Sequence, residues 1–212
     1  MTRYATFEYA KCVAGTWVRT RCGEAGEELG EGVIYTIGYG SRSLDELVAT
    51  LRRYSVEYLA DVRSQPYSRH KPEFAKAALD QALREAGLRY VFMGDALGGR
   101  PQDPRYYSGD KVDYVKLREA PFYKEGIARL QTALDKGLML ALMCSEGRPQ
   151  ECHRSKLVGV TLQALGIEVR HIDEHGALKT QAETLDEITH GQLSFFEDNP
   201  GTSTSRKGYA KT

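Results

Sequence analysis

Three times along this chain a helix-like segment ends at a glycine and a strand-like apolar run begins at the next residue. The glycines are Gly87, Gly137 and Gly166. Glycine tolerates the left-handed backbone that closes a helix, so each junction has a physical reason to end a helix there. Helices that alternate with short strands are typical of βαβ units, in which the strands lie parallel and helices cover the sheet.

The apolar pattern predicts where the strands and helices lie. Ser43 and Glu46 form a capping box ahead of the first helix. The nearly unbroken apolar run at 138–143 suits a central strand. We therefore predict an α/β fold of three layers, with a mostly parallel sheet of about five strands and helices on both faces. The predicted strands are residues 33–38, 58–62, 88–93, 138–143 and 167–172.

Composition is that of an ordinary globular protein. Hydrophobic residues make up 41% of the chain, charged residues 27%, and the net charge is zero, which argues against a generally basic nucleic-acid coat protein. No run of about 18 apolar residues is present, and the N-terminus has no apolar stretch of the secretory kind. We expect a cytoplasmic protein with no membrane partner.

The chain divides into three expected parts. Residues 1–32 show no clear period and are interpreted as a poorly ordered N-terminal extension. Residues 33–180 form the α/β domain, and residues 181–212 form a C-terminal tail. The end of that tail, from Asn199 onward, is rich in Gly, Ser, Thr and Lys, so we expect it to be disordered.

The carboxyl ends of the parallel strands mark the expected ligand site, because loops there lead into helix N-termini. This rule selects four loops, at 38–42, 63–70, 94–100 and 144–155. They carry most of the Arg, His and Cys side chains that a site would use. The candidate binding residues are Tyr39, Ser41, Arg63, Ser64, Arg69, Arg100, Arg148, Arg154 and Ser155.

Four short motifs in these segments resemble one known family. They are Thr36-Ile37-Gly38, Asp61-Val62-Arg63-Ser64, Leu97-Gly98-Gly99-Arg100, and Cys144-Ser145-Glu146 with Cys152-His153-Arg154-Ser155. Together they are similar to the family called domain of unknown function 488, over roughly residues 33–176. The resemblance implies an α/β domain with a site built from these motifs, and it implies no particular reaction.

Cys144 has three interpretations, all open at this point. In the first interpretation the thiol is a nucleophile, because a strand followed by a cysteine loop and a helix resembles the rhodanese and cysteine-phosphatase layout. However, Gln150 stands where a phosphatase loop has arginine. In the second interpretation Cys144, Cys152, His153 and His171 bind zinc. The sequence supports this less well, because the spacing fits no standard zinc motif and the adjacent residues Cys152 and His153 would point in different directions on a helix. We therefore expect no metal and no cofactor. Thirdly, both cysteines pack as small apolar groups.

The arginines of the four loops favour a phosphate-bearing ligand. Guanidinium groups recognise phosphate bidentately, and the helix start near Cys152 adds a favourable dipole. We expect these arginines to gather around one hollow at the edge of the sheet. Glu146 and Asp61 are then the carboxylates available to activate water, with His153 or His171 assisting. Asp61 could equally be a structural partner of Arg63.

A short motif in the tail indicates a partner. Gln192-Leu193-Ser194-Phe195-Phe196 resembles the bacterial sliding-clamp-binding pentapeptide, with Phe195 in place of the usual leucine. Exposed apolar side chains on such a tail can insert into a partner's pocket, with Gln192 as a polar anchor. The alternative is that Leu193, Phe195 and Phe196 pack back onto the domain. The expected partners are DNA or a nucleotide, and the DNA polymerase sliding clamp.

These observations support three hypotheses of function. The first is a DNA-processing or repair-associated enzyme, with base excision of the glycosylase type as the reaction, using Glu146, Asp61, Cys144 and His153. The second is a cysteine-dependent enzyme that acts on a small phosphorylated or sulfur-containing metabolite. The third is a non-catalytic module that binds a nucleotide or DNA.

Overall fold

The computed structural model of the chain describes residues 32–189 and 200–209. The expected N-terminal extension, except for Gly32, and the pentapeptide at 192–196 lie outside these residues. Within the described ranges no helix is long and apolar enough to cross a membrane. The strands are β1 (Val33–Gly38), β2 (Tyr58–Asp61), β3 (Arg89–Phe92), β4 (Tyr107–Ser108), β5 (Lys111–Val112), β6 (Leu140–Cys144), β7 (Glu168–Ile172) and β8 (Leu178–Thr180).

The helices begin where the sequence offers them a reason to begin. The predicted capping box is present, since the Ser43 hydroxyl accepts from the backbone N–H of Glu46 at 3.2 Å and the Glu46 carboxylate accepts from that of Ser43 at 2.7 Å. A π-helical segment, Arg154–Gly159, leads directly into the sixth helix. The helices are α1 (Leu44–Arg53), α2 (Lys76–Glu85), α3 (Gly94–Leu97), α4 (Tyr114–Arg118), α5 (Pro121–Asp135), α6 (Val160–Ala164), α7 (Gln181–Thr189) and α8 (Pro200–Ser203).

The larger sheet has the strand order β3-β2-β6-β1-β7-β8. Its first five strands are parallel, and β8 pairs antiparallel with β7 at one edge. The predicted α/β fold with a mostly parallel sheet is confirmed, and the predicted strands correspond to these five. The sixth strand was not predicted, because three residues are too short to show a period. A separate hairpin pairs β4 with β5.

The junction glycines have the backbone that the sequence predicts. The φ angles of Gly87, Gly137 and Gly166 are +79°, +67° and +74°. Each follows the end of a helix, namely α2, α5 and α6. A side chain at these positions would be strained, so glycine closes each helix and lets the chain turn into the next strand.

Two cores cover the two faces of the sheet. Along β6, Leu140 and Leu142 belong to one core, and Ala141 and Met143 belong to the other, as expected where successive side chains alternate between faces. The first core also contains apolar side chains from α3 to α6, and the second contains those from α1 and α2. Helices therefore lie on both faces of the sheet, which is the predicted three-layer arrangement.

The chain leaves the neighbouring strands β1 and β6 in opposite directions. The first leads into α1 in one layer, and the second leads through residues 145–153 to α6 in the other layer. The two loops remain joined at their bases, because the backbone N–H of Tyr39 donates to the carbonyl of Cys144 at 3.1 Å and that of Gly40 donates to Ser145 at 3.0 Å. Such a divergence opens a crevice at the carboxyl edge of the sheet.

Residues 200–209 depart from the disorder that their composition suggests. Ser205 pairs with Val112 of β5, since its backbone N–H donates to the Val112 carbonyl at 3.0 Å and its hydroxyl accepts from the Val112 N–H at 3.0 Å. Asp113 and Thr204 form an isolated antiparallel bridge. The β4–β5 hairpin thus offers an edge whose backbone groups order this C-terminal segment, which composition alone cannot reveal.

Candidate functional site

A cavity of about 260 Å³ opens at the carboxyl ends of β1, β2 and β6. The loops that follow these strands form most of its wall, and residues 206–209 complete it. We call it the site cavity. Its lining residues are Tyr39, Arg63, Ser64, Gln65, Tyr67, Gly99, Arg100, Tyr114, Cys144, Ser145, Glu146, Glu151, Cys152, His153, Arg206, Lys207 and Tyr209.

Two cysteines and a histidine meet in the wall of the site cavity. The sulfur atoms of Cys144 and Cys152 each lie 3.7 Å from Nδ1 of His153. The Nε2 atom of the same ring lies 3.1 Å from the carbonyl oxygen of Val62. A carbonyl can only accept, so Nε2 donates to Val62 and Nδ1 is the ring nitrogen that faces the two sulfurs. We call these three residues the sulfur–histidine cluster.

The local backbone explains why adjacent residues converge on one point. Cys152 is extended, with φ −113° and ψ 150°, whereas His153 has helical angles of −64° and −21°. Side chains of adjacent residues point in different directions where both residues lie on a helix, as the sequence predicts for Cys152 and His153. That prediction is wrong, because the helix begins only after Cys152 and the change of conformation turns both side chains to Cys144.

Hydrogen bonding makes the two cysteines electrostatically different. The pKa of Cys144 is lowered well below its ordinary value, because the Cys152 thiol donates a hydrogen bond to it and because His153 lies beside it. Burial raises the pKa of Cys152, and the same hydrogen bond raises it further. Cys144 is therefore the more readily ionised sulfur. Both residues also belong to a hydrophobic core, so the packing interpretation of the cysteines holds alongside their place in the wall.

Of the five predicted arginines, only Arg63 and Arg100 line the site cavity. Arg69 and Arg148 are exposed and lie outside it. Arg148 pairs with Glu174 at 3.2 Å and, more loosely, with Glu151 at 3.8 Å. The expected gathering of all five guanidinium groups around one hollow is therefore corrected to two.

Arg154 and Ser155 lie beneath the loop that follows β6 and are fully buried. Arg154 donates from Nη2 to the carbonyl of Gly147 at 2.7 Å, while its Nε and Nη1 have no hydrogen-bond partner within the described ranges. The hydroxyl of Ser155 donates to the carbonyl of Pro149 at 2.5 Å. Both side chains hold the loop from below, so the expectation that they contact a ligand in this cavity is corrected.

Asp61 is fully buried and its two oxygens are occupied. They accept from Nε of Arg63 at 2.9 Å, from Nη2 of Arg63 at 2.7 Å, and from the Tyr90 hydroxyl at 2.7 Å. The carboxylate does not line the site cavity. The structural interpretation of Asp61 therefore fits, since the carboxylate orients Arg63. Burial alone would lower the pKa of Arg63, but the hydrogen bonds and the charge of Asp61 outweigh it and raise that pKa. The expected role of Asp61 in activating water is corrected.

The remaining predicted binding residues divide in the same way. Tyr39 lines the site cavity and stacks on Phe74 with ring centroids 4.2 Å apart. Ser64 also lines it, and its hydroxyl accepts from the backbone N–H of Arg100 at 2.9 Å, which fixes that loop. Ser41 is exposed and lies outside the cavity.

The C-terminal segment contributes side chains that sequence reasoning missed. Arg206 pairs with Glu151 at 3.0 Å and, at 3.5 Å, with Glu146. Lys207 lies 3.6 Å from Glu146. Tyr209 lies beneath Arg100, whose Cζ is 3.9 Å from the ring centroid. The local sequence does not predict these contacts, since a pair of basic residues in a Ser- and Gly-rich stretch usually lies in a solvated segment.

Gly99 explains part of the motif at 97–100. A Cβ at this position would lie 2.7 Å from Cγ and 2.9 Å from Cβ of His153. The missing side chain therefore leaves room for the imidazole to reach both its sulfur neighbours and Val62. Gly99 positions the sulfur–histidine cluster by close approach.

A family comparison gives this geometry a context. The model of the family described as domain of unknown function DUF488 matches residues 43–161, more than half of the chain. The chain belongs to the DUF488 family. The matched range contains the motifs at 61–64, 97–100 and 144–155, so in this DUF488 member the matched loops are those that build most of the site cavity. No curated protein and no solved structure matches the chain.

Proposed function

We propose that this DUF488 protein is an enzyme that acts on DNA, and that the site cavity holds one nucleotide outside the base stack. The observation that carries the proposal is that aromatic and cationic side chains line one cavity together with a carboxylate. Tyr67 offers an exposed ring face to a base. Arg100, Arg206 and Lys207 are exposed at the same cavity and can reach phosphate oxygens.

The size and exposure of the cavity support a single-nucleotide ligand. At about 260 Å³ it is smaller than the roughly 300–1,000 Å³ of drug-sized pockets. Tyr67 is 71% exposed at this site, as a side chain that stacks on an incoming base would be before binding. Since the chain has no net charge, attraction of DNA depends on the local group of exposed cations.

The proposed reaction is hydrolytic removal of a base, with Glu146 as the general base. Water, activated by the Glu146 carboxylate, forms a bond from its oxygen to C1′ of the deoxyribose. The bond between C1′ and the base nitrogen breaks, and the base leaves with a proton. Glu146 lines the cavity, and its ion pairs with Arg206 and Lys207 are long, at 3.5 Å and 3.6 Å, so its oxygens can bind water.

The test is a panel of oligonucleotides that carry different damaged or modified bases, incubated with the full chain. Excision of at least one base is expected, and Glu146→Gln should reduce the rate by at least about 100-fold, as loss of a general base does. Arg100→Gln should weaken binding, whereas Arg69→Gln, which removes an exposed arginine outside the cavity, should not. If the protein neither binds nor cleaves any oligonucleotide of the panel, the proposal is ruled out.

We also propose that the pentapeptide at 192–196 recruits the enzyme to the sliding clamp. The motif supports this, with its polar anchor Gln192 and the apolar side chains of Leu193, Phe195 and Phe196. A pull-down with the clamp should retain the full chain and lose a variant that lacks these five residues. Equal retention of both would contradict the recruitment.

A second candidate function is cysteine-dependent chemistry on a small phosphorylated or sulfur-containing metabolite. The sulfur of Cys144 in the cavity wall, 3.7 Å from Nδ1 of His153, favours it. Here Cys144→Ser should abolish turnover and Glu146→Gln should not. The DNA proposal expects Glu146→Gln to be the damaging change, so the pair of variants separates the two candidates.

A further inference from the structure

The sulfur–histidine cluster has the dimensions of three corners of a tetrahedral metal site. Zinc lies about 2.3 Å from cysteine sulfur and about 2.0 Å from histidine nitrogen, so tetrahedral angles place sulfur and nitrogen about 3.5 Å apart. The two sulfur–nitrogen distances here are both 3.7 Å, and all three donor atoms lie within 4.8 Å of one another.

The surroundings of His153 suit a metal ligand. Its Nε2 donates to the carbonyl of Val62 at 3.1 Å, so Nδ1 is the ring nitrogen that faces the sulfurs. Metal-binding histidines commonly donate their other ring N–H to a carbonyl or carboxylate in this way. Gly99, against the imidazole, leaves the ring the space it needs.

Charge balance also favours a cation. The sulfurs of Cys144 and Cys152 are buried and adjacent, and two thiolates so placed would repel each other. A divalent ion bound by two thiolates and a neutral imidazole has no net charge, so it can be buried without an uncompensated charge. Thiolate sulfur together with imidazole nitrogen selects zinc-like ions over magnesium or calcium.

We propose that Cys144, Cys152 and His153 bind one zinc-class ion, with the fourth coordination position open to the site cavity. All three residues line that cavity, and three protein ligands with one open position are the arrangement of catalytic rather than structural zinc. The site stands on the cluster geometry and is independent of the proposed substrate. A bound ion would also occupy the Cys144 sulfur, so the site and the cysteine-nucleophile candidate exclude each other.

The test is titration of the full chain, purified free of metal under reducing conditions, with Co²⁺ as a spectroscopic probe for zinc. Cys12 and Cys22, which lie outside the described residues, are first changed to serine so that they supply no thiolates. One equivalent of Co²⁺ should bind and produce a sulfur-to-metal charge-transfer band with tetrahedral visible bands. Azide should alter those visible bands if one position is open to solvent.

Ligand variants and a matched control locate the site. Cys152→Ser and His153→Gln should each weaken Co²⁺ binding by at least about tenfold, and Cys152→Ser should also weaken the charge-transfer band. His70→Gln changes an exposed histidine away from the cavity and should leave binding unchanged. The site would be overturned if the charge-transfer band were absent from the protein that carries only the Cys12 and Cys22 changes, or if it persisted at full strength after Cys152→Ser.

X-ray absorption of the zinc-loaded parent protein provides a readout that needs no ligand variant. Two sulfur neighbours at about 2.3 Å and at least one nitrogen at about 2.0 Å are expected. A shell of oxygen and nitrogen alone would mean adventitious binding and would overturn the site. None of these measurements uses DNA, so failure of base excision and failure of metal binding are distinguishable.

Discussion

At the scale of single residues, two ion pairs with the same sequence spacing differ completely in burial. Arg63 and Asp61 are two residues apart, with side chains 4% and 0% exposed. Arg105 and Asp103 are also two residues apart, but their side chains are 80% and 35% exposed. The sequence shows the same acid and base in both places. Only the Arg63–Asp61 pair is buried, and in a buried pair each charge is costly to keep folded without the other.

Neutralising the buried acid should therefore be costly. Asp61→Asn leaves the Arg63 guanidinium buried without a counter-charge and should lower the free energy of unfolding by about 3–5 kcal/mol. Urea denaturation measures the loss. Asp103→Asn is the matched control and should cause no measurable change, since its pair is exposed. Unchanged stability in Asp61→Asn, with activity lost, would return Asp61 to a catalytic role.

A second prediction concerns Gly99. Gly99→Ala would push the imidazole of His153 away from Val62, because the new Cβ would lie 2.7 Å from Cγ. Excision activity should fall, and the melting temperature should fall modestly, as overpacking typically costs about 1–3 kcal/mol. Gly147→Ala is the control in the same region, because its Cβ would meet neighbours at 3.6 Å or beyond. Equal activities of the two variants would contradict a positioning role for Gly99.

At the scale of elements, a buried polar chain joins β1, β7 and α7. The Thr36 hydroxyl donates to Nδ1 of His171 at 2.6 Å, and Nε2 of His171 donates to the Gln181 amide oxygen at 2.6 Å. The Gln181 amide nitrogen then donates to the Ser155 carbonyl at 3.1 Å. A neutral imidazole satisfies every partner. Burial lowers the pKa of His171 to about 4. His171, a zinc candidate from the sequence, thus serves to anchor α7.

This imidazole makes stability depend on pH. Its folded pKa of about 4 lies below the ordinary value of 6.5, so the unfolded chain takes up the proton first as pH falls. The histidine therefore favours the folded state fully above pH 6.5 and loses this contribution between about 6.5 and 4, by at most about 3 kcal/mol. Urea unfolding of the parent protein and of His171→Gln across that range measures the effect.

The comparison of slopes isolates the histidine from other groups. Between pH 6.5 and 4, His171→Gln should lose less stability than the parent protein does, even if its starting stability is lower. His175→Gln is the control, because this histidine is exposed, and it should keep the steeper dependence. Parallel curves for all three proteins would show that His171 titrates normally.

At the scale of the whole molecule, residues 206–209 form one side of the site cavity. Residues 206–209 reach the wall because the segment pairs with the β4–β5 hairpin through Ser205 and Thr204. The hairpin follows the motif at 97–100, whose Arg100 stacks over Tyr209. The cavity is thus assembled from segments that begin near residue 39 and end at residue 209, and it exists only when all of them are packed.

If the cavity binds DNA, the cations that this segment brings to the wall should contact phosphates and so increase the salt dependence of binding. Changing both Arg206 and Lys207 to glutamine removes two exposed cations from the wall. The slope of log affinity against log salt for a single-stranded oligonucleotide should shrink by about 1.4, at about 0.7 per lost phosphate contact. Fluorescence anisotropy at several salt concentrations measures it.

A charge-matched double variant provides the control. Arg69 and Arg84 are exposed and lie outside the cavity, so their replacement by glutamine should leave the slope unchanged. Equal changes in both double variants would indicate a general charge effect and no phosphate contact at the cavity.

The sequence by itself determined the elements and the edge of the sheet at which a site forms. Capping at Ser43, glycine junctions such as Gly137 and apolar runs such as β6 act between residues a few positions apart, so local patterns predict them. The parallel arrangement then directs the loops after the strands to one edge.

Only the tertiary structure decided which side chains of those loops face the cavity. Arg154 and Arg100 look alike in sequence, yet one is buried beneath its loop and the other lines the wall. Cys144 meets His153 because a helix begins one residue after Cys152, and residues 206–209 arrive through pairing with a distant hairpin. Such contacts depend on packing between segments far apart in the chain, and packing leaves no local pattern to read.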